Sequence, residues 1–186
     1  MKKTESFEPI SKTKKTYLGR RLRYAGIGLL FFFANCTVSL APKFDQGIVD
    51  NLSSASAQVF QLLAETSSGA RPAEFLIRAE KYNSLIGTLE ALQLQINARP
   101  VPQNKTVEKI IAKANARLTQ RGISTLTSVG DIAPSATALE QIIVNLTKMR
   151  DTDQKQGLTP LEVQAFKNNI QLYLDQALTY EKFLNQ

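Results

Sequence analysis

Through most of this chain the apolar residues return every three or four positions, the spacing that lines up one face of a helix. Ile48, Leu52, Ala55, Val59 and Leu62 form one such stripe and predict a helix over about 44–66. Phe75, Ala79, Tyr82, Ile86, Leu89, Leu92 or Ala91, and Ile96 form a second, starting near Pro72. Val107, Ile110, Ala114 and Leu118 form a third over about 103–120. Leu139, Ile142, Ile143, Leu146 and Met149 mark a fourth that begins near Pro134. Val163, Phe166, Ile170, Tyr173 or Leu174, Ala177, Tyr180 and Leu184 mark a fifth, starting at Thr159–Glu162.

The breaks between stripes carry the residues that stop helices. Ser67-Ser68-Gly69-Ala70 ends the first, Arg99-Pro100-Val101-Pro102 the second and Arg121-Gly122 the third. Thr159 and Glu162, three apart with Pro160 between them, spell a capping box with proline in the first helical turn. Residues 123–133 read as a loop or as a short extended piece around Ile123–Thr127. Strand alternation is nowhere sustained, and short connections favour antiparallel neighbours. The predicted fold is all-α, an up-and-down bundle of four to five antiparallel helices. It comes after an N-terminal signal or anchor segment, so the chain divides into residues 1–36 and a single helical domain, 37–186.

That N-terminal segment has a composition of its own. Residues 1–24 carry eight Lys or Arg and two Glu, whereas the rest carries 15 basic and 14 acidic groups. The net charge of +7 therefore belongs mainly to the leader. Arg20, Arg21 and Arg23 precede an apolar run, Ala25 to Ala34, of the length of a signal-peptide core and short for a spanning helix. Basic residues ahead of such a run hold the N-terminus in the cytoplasm and send the downstream chain across the membrane.

Phe33-Ala34-Asn35-Cys36 ends this run on the only cysteine in the chain. The stretch resembles the lipobox of bacterial lipoprotein precursors, with Asn35 where a small residue usually stands. The resemblance covers the leader alone. It implies cleavage before Cys36, lipidation of Cys36, and a helical domain attached to a membrane outside the cytoplasm. Two other fates fit the same residues. An uncleaved run extended through Thr37–Ala41 to Pro42 would be a short signal anchor, and ordinary cleavage near Cys36 would release the domain.

Composition removes several function classes. With one cysteine there is no intrachain disulfide framework and no CxxC metal site. With no histidine, a Ser–His–Asp triad and a His-containing di-metal bundle site are both excluded. A Ser–Lys or paired-carboxylate hydrolase needs no histidine, but no spacing here points to one. The nearly neutral domain lacks the basic surplus that nucleic-acid binding draws on. No catalytic residue, cofactor or metal ligand is predicted, and the chain reads as non-enzymatic.

Three local features remain. Asp151, Asp153 and Glu162 occupy the first, third and twelfth places of an EF-hand-like loop, but Lys155 takes the fifth and Gly157 comes one place late. A turn at Gly157 followed by the Thr159–Glu162 cap accounts for the same residues. Arg78 and Lys81 read as solvated, with Glu74 four residues before Arg78, and the Tyr82 ring as core with its hydroxyl at the edge. Gly87 costs a helix interior about 1 kcal/mol relative to Ala, which predicts a close helix–helix approach there. The expected role is binding or scaffolding another component of the bacterial cell envelope. The alternatives are an uncleaved, membrane-anchored structural subunit of an envelope assembly and, behind it, a hydrolase with an atypical site.

Overall fold

The computed structural model describes residues 42–101, 104–126 and 132–185. The leader, the apolar run and Cys36 lie outside the described residues. Five α-helices account for most of what is described: α1, Gln46–Glu65; α2, Phe75–Asn97; α3, Lys105–Gln120; α4, Pro134–Gln156; and α5, Pro160–Phe183. A 3₁₀ turn at Pro72–Glu74 leads into α2.

Three of the helices start on a side-chain cap. The Asp45 carboxylate accepts from the backbone N–H groups of Gly47 and Ile48, and the Asn104 side chain from those of Thr106 and Val107. Thr159 and Glu162 form the predicted capping box on α5, with Pro160 in the first turn. At the far end of α3, Gly122 takes a φ of 70°. Its N–H reaches the Thr119 carbonyl and that of Ile123 reaches Leu118, closing the helix in a Schellman turn.

Four helices form the bundle. α1 packs on α2 and α5, and α4 packs on α2 and α5, which closes a ring of four. Neighbours run antiparallel. Arg78, early in α2, meets Asp153, late in α4, while Gln93, late in α2, reaches the Ala136 carbonyl at the start of α4. Ser135 of α4 likewise meets Glu181 near the end of α5. The predicted stripes meet in one core, where Leu52, Val59, Tyr82, Leu89, Ile96, Leu139, Ile142, Leu146, Met149 and Ile170 have no exposed surface. Truncating one of these leucines to alanine costs about 2–5 kcal/mol.

α3 stands outside the ring and, among the described residues, packs on α5 alone. Ala114 and Leu118 are buried in that contact. Residues 123–126 form no strand. They are held instead by the Asn115 amide, which accepts from the Leu126 N–H and donates to the Leu126 carbonyl.

Candidate functional site

The bundle presents a groove along α1 and α2. Two adjoining depressions of about 310 Å³ each lie along it, and Gln58 borders both. Its floor is made by Ala55, Leu62, Leu85 and Leu92, which are buried. Its rims are short or uncharged: Asn51, Ser54 and Gln58 on one side, Ser84, Thr88, Ala91 and Gln95 on the other. Mid-α1 reads Ser53-Ser54-Ala55-Ser56-Ala57, five small residues in succession, of which Ser54 and Ala55 line the depression nearer the start of α1. Ser53 and Ser56 spend their hydroxyls on the carbonyls of Val49 and Leu52, one turn back.

Charge enters the groove only at one end, where Lys81 binds Glu65 with N–O distances of 2.6 and 2.7 Å and Glu80 lines the wall. The Lys81 ammonium holds the Glu65 carboxyl below the usual range. Ile77 lies on this rim with 76 % of its surface exposed. Leu76 (84 % exposed) and Leu94 (71 %) stand on the adjoining outer face of α2, about five turns apart on the same side. Gly87 lies between them. A Cβ added there would meet nothing within 4 Å, so the predicted close helix approach is absent and nothing else in the structure explains this glycine.

Beneath the charged end of the groove the bundle is locked. Arg78 donates from Nε and Nη2 to the two carboxylate oxygens of Asp153, both at 2.8 Å, and Nη2 also reaches the Arg71 carbonyl. Asp153 is fully buried and the Arg78 side chain 11 % exposed, with Glu74 only a distant second partner at 3.9 Å. Arg78 is therefore not the solvated residue that its sequence context predicts. Asp153 holds its guanidinium more firmly charged than usual. Nor does the Tyr82 hydroxyl lie at an edge: it is buried 3.3 Å from Asp153 Oδ2, and its ionisation is pushed up by burial and then by that carboxylate.

The EF-hand-like spacing comes apart for the same reason. Asp151 and Asp153 lie within α4, which runs to Gln156, and Asp153 is committed to Arg78. Glu162 accepts from the Thr159 N–H and hydroxyl, which hold its carboxyl below the usual range. Among the described residues no cluster of three or more acidic, Cys or His side chains is placed to hold a metal ion.

Next to this pair, Ala70 and Leu158 exchange N–H···O bonds of 2.8 Å, tying the α1–α2 connection to the α4–α5 connection. Gly157 makes that approach possible. Its φ is 79°, and a Cβ there would lie 2.3 Å from the Ala70 carbonyl oxygen.

The opposite end repeats the ionic motif with different surroundings. Arg99 donates from Nη1 and Nη2 to the fully buried carboxylate of Glu181 at 2.9 and 2.6 Å, and Ser135 donates its hydroxyl to the same group. Arg99 Nη1 also reaches the Lys43 carbonyl, which fixes where the chain comes in from residues 1–41. Arg99 Nε and the Tyr180 hydroxyl are buried with no partner among the described residues. Burial, then the neighbouring Glu181 charge, pushes the Tyr180 phenol up to about 12.

Comparison with models of known protein families, with curated proteins and with solved structures finds no match.

Two features escape the apolar pattern. The buried pairs join residues 75 and 82 positions apart, beyond any local spacing rule. A row of cations on α3, Lys105, Lys109, Lys113, Arg117 and Arg121, does have a sequence signal in its four-residue repeat. The even charge balance of the whole domain conceals it.

Proposed function

We propose that this chain is a non-enzymatic helical-bundle protein of the bacterial cell envelope, anchored by lipid at Cys36, that binds or scaffolds another envelope protein. The groove between α1 and α2 is the surface offered to that partner. The observation that carries the reading is the composition of this groove: an apolar floor, amide, hydroxyl and methyl rims along most of its length, and exposed Ile77 beside Glu80 and Lys81 at one end. From Asn51 to Ala64, α1 carries no charge at all. Such a surface suits the apolar face of a partner helix, bound by burying that strip and by side-chain amides on its polar edges. The leader supplies the location: a basic segment, an apolar run of signal length, and a cysteine where lipoprotein precursors carry their acyl chains. No helix among the described residues is long and apolar enough to cross a membrane, and the apolar run of the leader is not among them.

The intact mass of the protein extracted from the membrane fraction of a bacterial host tests the tether, with Cys36→Ala alongside. The expected result is a chain that starts at an acylated Cys36, with that species missing from the variant. A full-length, unmodified chain in both would overturn lipidation and make the apolar run an uncleaved anchor.

A further inference from the structure

The cations of α3 have no counterpart elsewhere in the domain. Lys105, Lys109, Lys113, Arg117 and Arg121 recur every fourth residue, about 6 Å apart along the helix. All five are exposed, and of them only Arg121 has an ion-pair partner among the described residues, Asp175 at 3.1 Å. Glu108 is the only acidic residue among them, so α3 with Arg121 carries a net charge of +4. The rest of residues 25–186 holds ten basic and thirteen acidic groups, a net charge of −3. The domain is thus neutral only on average.

The fold gives this charge a free face. α3 packs on α5 alone among the described residues, with Ala114 and Leu118 turned into that contact, so the cationic side of the helix faces no other described element. It also gives the charge a location. The Lys43 carbonyl is held by Arg99, two residues past the end of α2, and α3 begins at Lys105, six residues after Arg99. The chain arriving from the leader and the start of α3 therefore share one end of the bundle.

We propose that α3 is a membrane-apposed face that binds the head groups of anionic lipids. This rests on the tethered reading above, which brings a bilayer within reach of that end. Exposed lysines and arginines near an anionic surface each add to attraction without burial, and their effects accumulate along a row. One observation favours lipid over single-stranded nucleic acid: no aromatic side chain occurs between Lys105 and Arg121 on which a base could stack. Docked in this way, α3 would hold the bundle at a set orientation with the α1–α2 groove directed away from the lipid.

The test uses the full chain reconstituted into vesicles, with a fluorescent amino acid placed at the exposed Ala116 on α3 or, as a reference, at Ser54 in the groove. The vesicles contain a head-group quencher and are made either of phosphatidylcholine alone or with phosphatidylglycerol added. We expect quenching at position 116 that requires phosphatidylglycerol and is lost in high salt. It should also be lost in the Lys109→Gln, Lys113→Gln, Arg117→Gln variant, with position 54 little quenched throughout. Equal quenching at both positions, or quenching at 116 indifferent to lipid charge or to the triple substitution, would overturn the proposal while leaving the tether standing. Displacement of the wild-type signal by a single-stranded oligonucleotide at equal phosphate concentration would overturn it in favour of nucleic acid. Failure of the chain to float with the vesicles would instead defeat the tether. Circular dichroism of the triple variant checks that its helices are intact.

Discussion

At one end of the bundle Arg78 grips Asp153, and at the other Arg99 grips Glu181. Both carboxylates are fully buried and both guanidiniums nearly so. The first pair is enclosed by the Tyr82 hydroxyl and by the Ala70–Leu158 bridge, which joins two interhelix connections. α4 cannot fray past Asp153 without tearing that bridge. The second pair sits where the chain comes in at Lys43 and where α5 ends at Phe183, two residues beyond Glu181. No backbone bridge like that of Ala70 and Leu158 joins connections at this end among the described residues, and two polar atoms, Arg99 Nε and the Tyr180 hydroxyl, lack partners there, so local opening is expected to start at this end. The same ionic chemistry thus serves a closed end beneath the groove and an end, expected to be more compliant, where Lys43 leads into α1 and α5 finishes.

The largest expected effect breaks the closed end. Asp153→Ala strands the Arg78 guanidinium in the core and should cost about 3–5 kcal/mol of global stability by chemical denaturation. Glu181→Ala should cost less, because the segments that it joins can open locally and let water reach Arg99. Gly157→Ala comes next. It forces a side chain into a positive-φ conformation and against the Ala70 carbonyl, and about 2–3 kcal/mol should be lost in the same measurement.

Alkaline pH should weaken the compliant end. The Tyr180 phenol, near 12 in the fold against an ordinary value of 10, favours the folded state while it is neutral. Stability is fully present below pH 10 and should fall by about 2–3 kcal/mol as pH rises from 10 to 12. Tyr82 acts in the same direction, so Tyr180→Phe should remove part of this slope and leave the rest, read from denaturation midpoints across that range. The smallest effect has the opposite sign. Gly87→Ala adds a methyl to open space in a helix interior and should raise stability by about 1 kcal/mol.

The contrast between these two glycines shows where sequence is legible. Gly157 stands between a helix and a capping box, and its local context announces a turn. Gly87 announces a close approach that does not exist, because one glycine cannot say what lies across from it. The five helices are legible in their stripes for a physical reason: a core built from one face of each helix must repeat at the helical period. Which helix lies outside the ring leaves no such mark, since α3 has a stripe like the others. The buried arginines are illegible for a related reason. A charged residue is ordinarily placed in water, and only the fold brings Asp153 and Glu181 within reach. Of the groove, periodicity marks the floor, where Ala55, Leu62 and Leu92 fall on their stripes, but not the polar rims such as Ser54, Gln58 and Thr88, which read as ordinary surface. Cys36 and its leader belong to sequence alone.

Hydrogen–deuterium exchange of the full chain, compared between Asp153→Ala and Glu181→Ala, tests most directly the claim of a closed end and a compliant end. If the two ends differ in this way, Asp153→Ala lowers protection throughout the four-helix ring, including the Ala70 and Leu158 amides. Glu181→Ala should lower it chiefly around Lys43–Leu52 and the last two turns of α5, leaving those two bridge amides protected. Loss of protection at Ala70 and Leu158 of the same size in both variants, or local loss in Asp153→Ala alone, would contradict it.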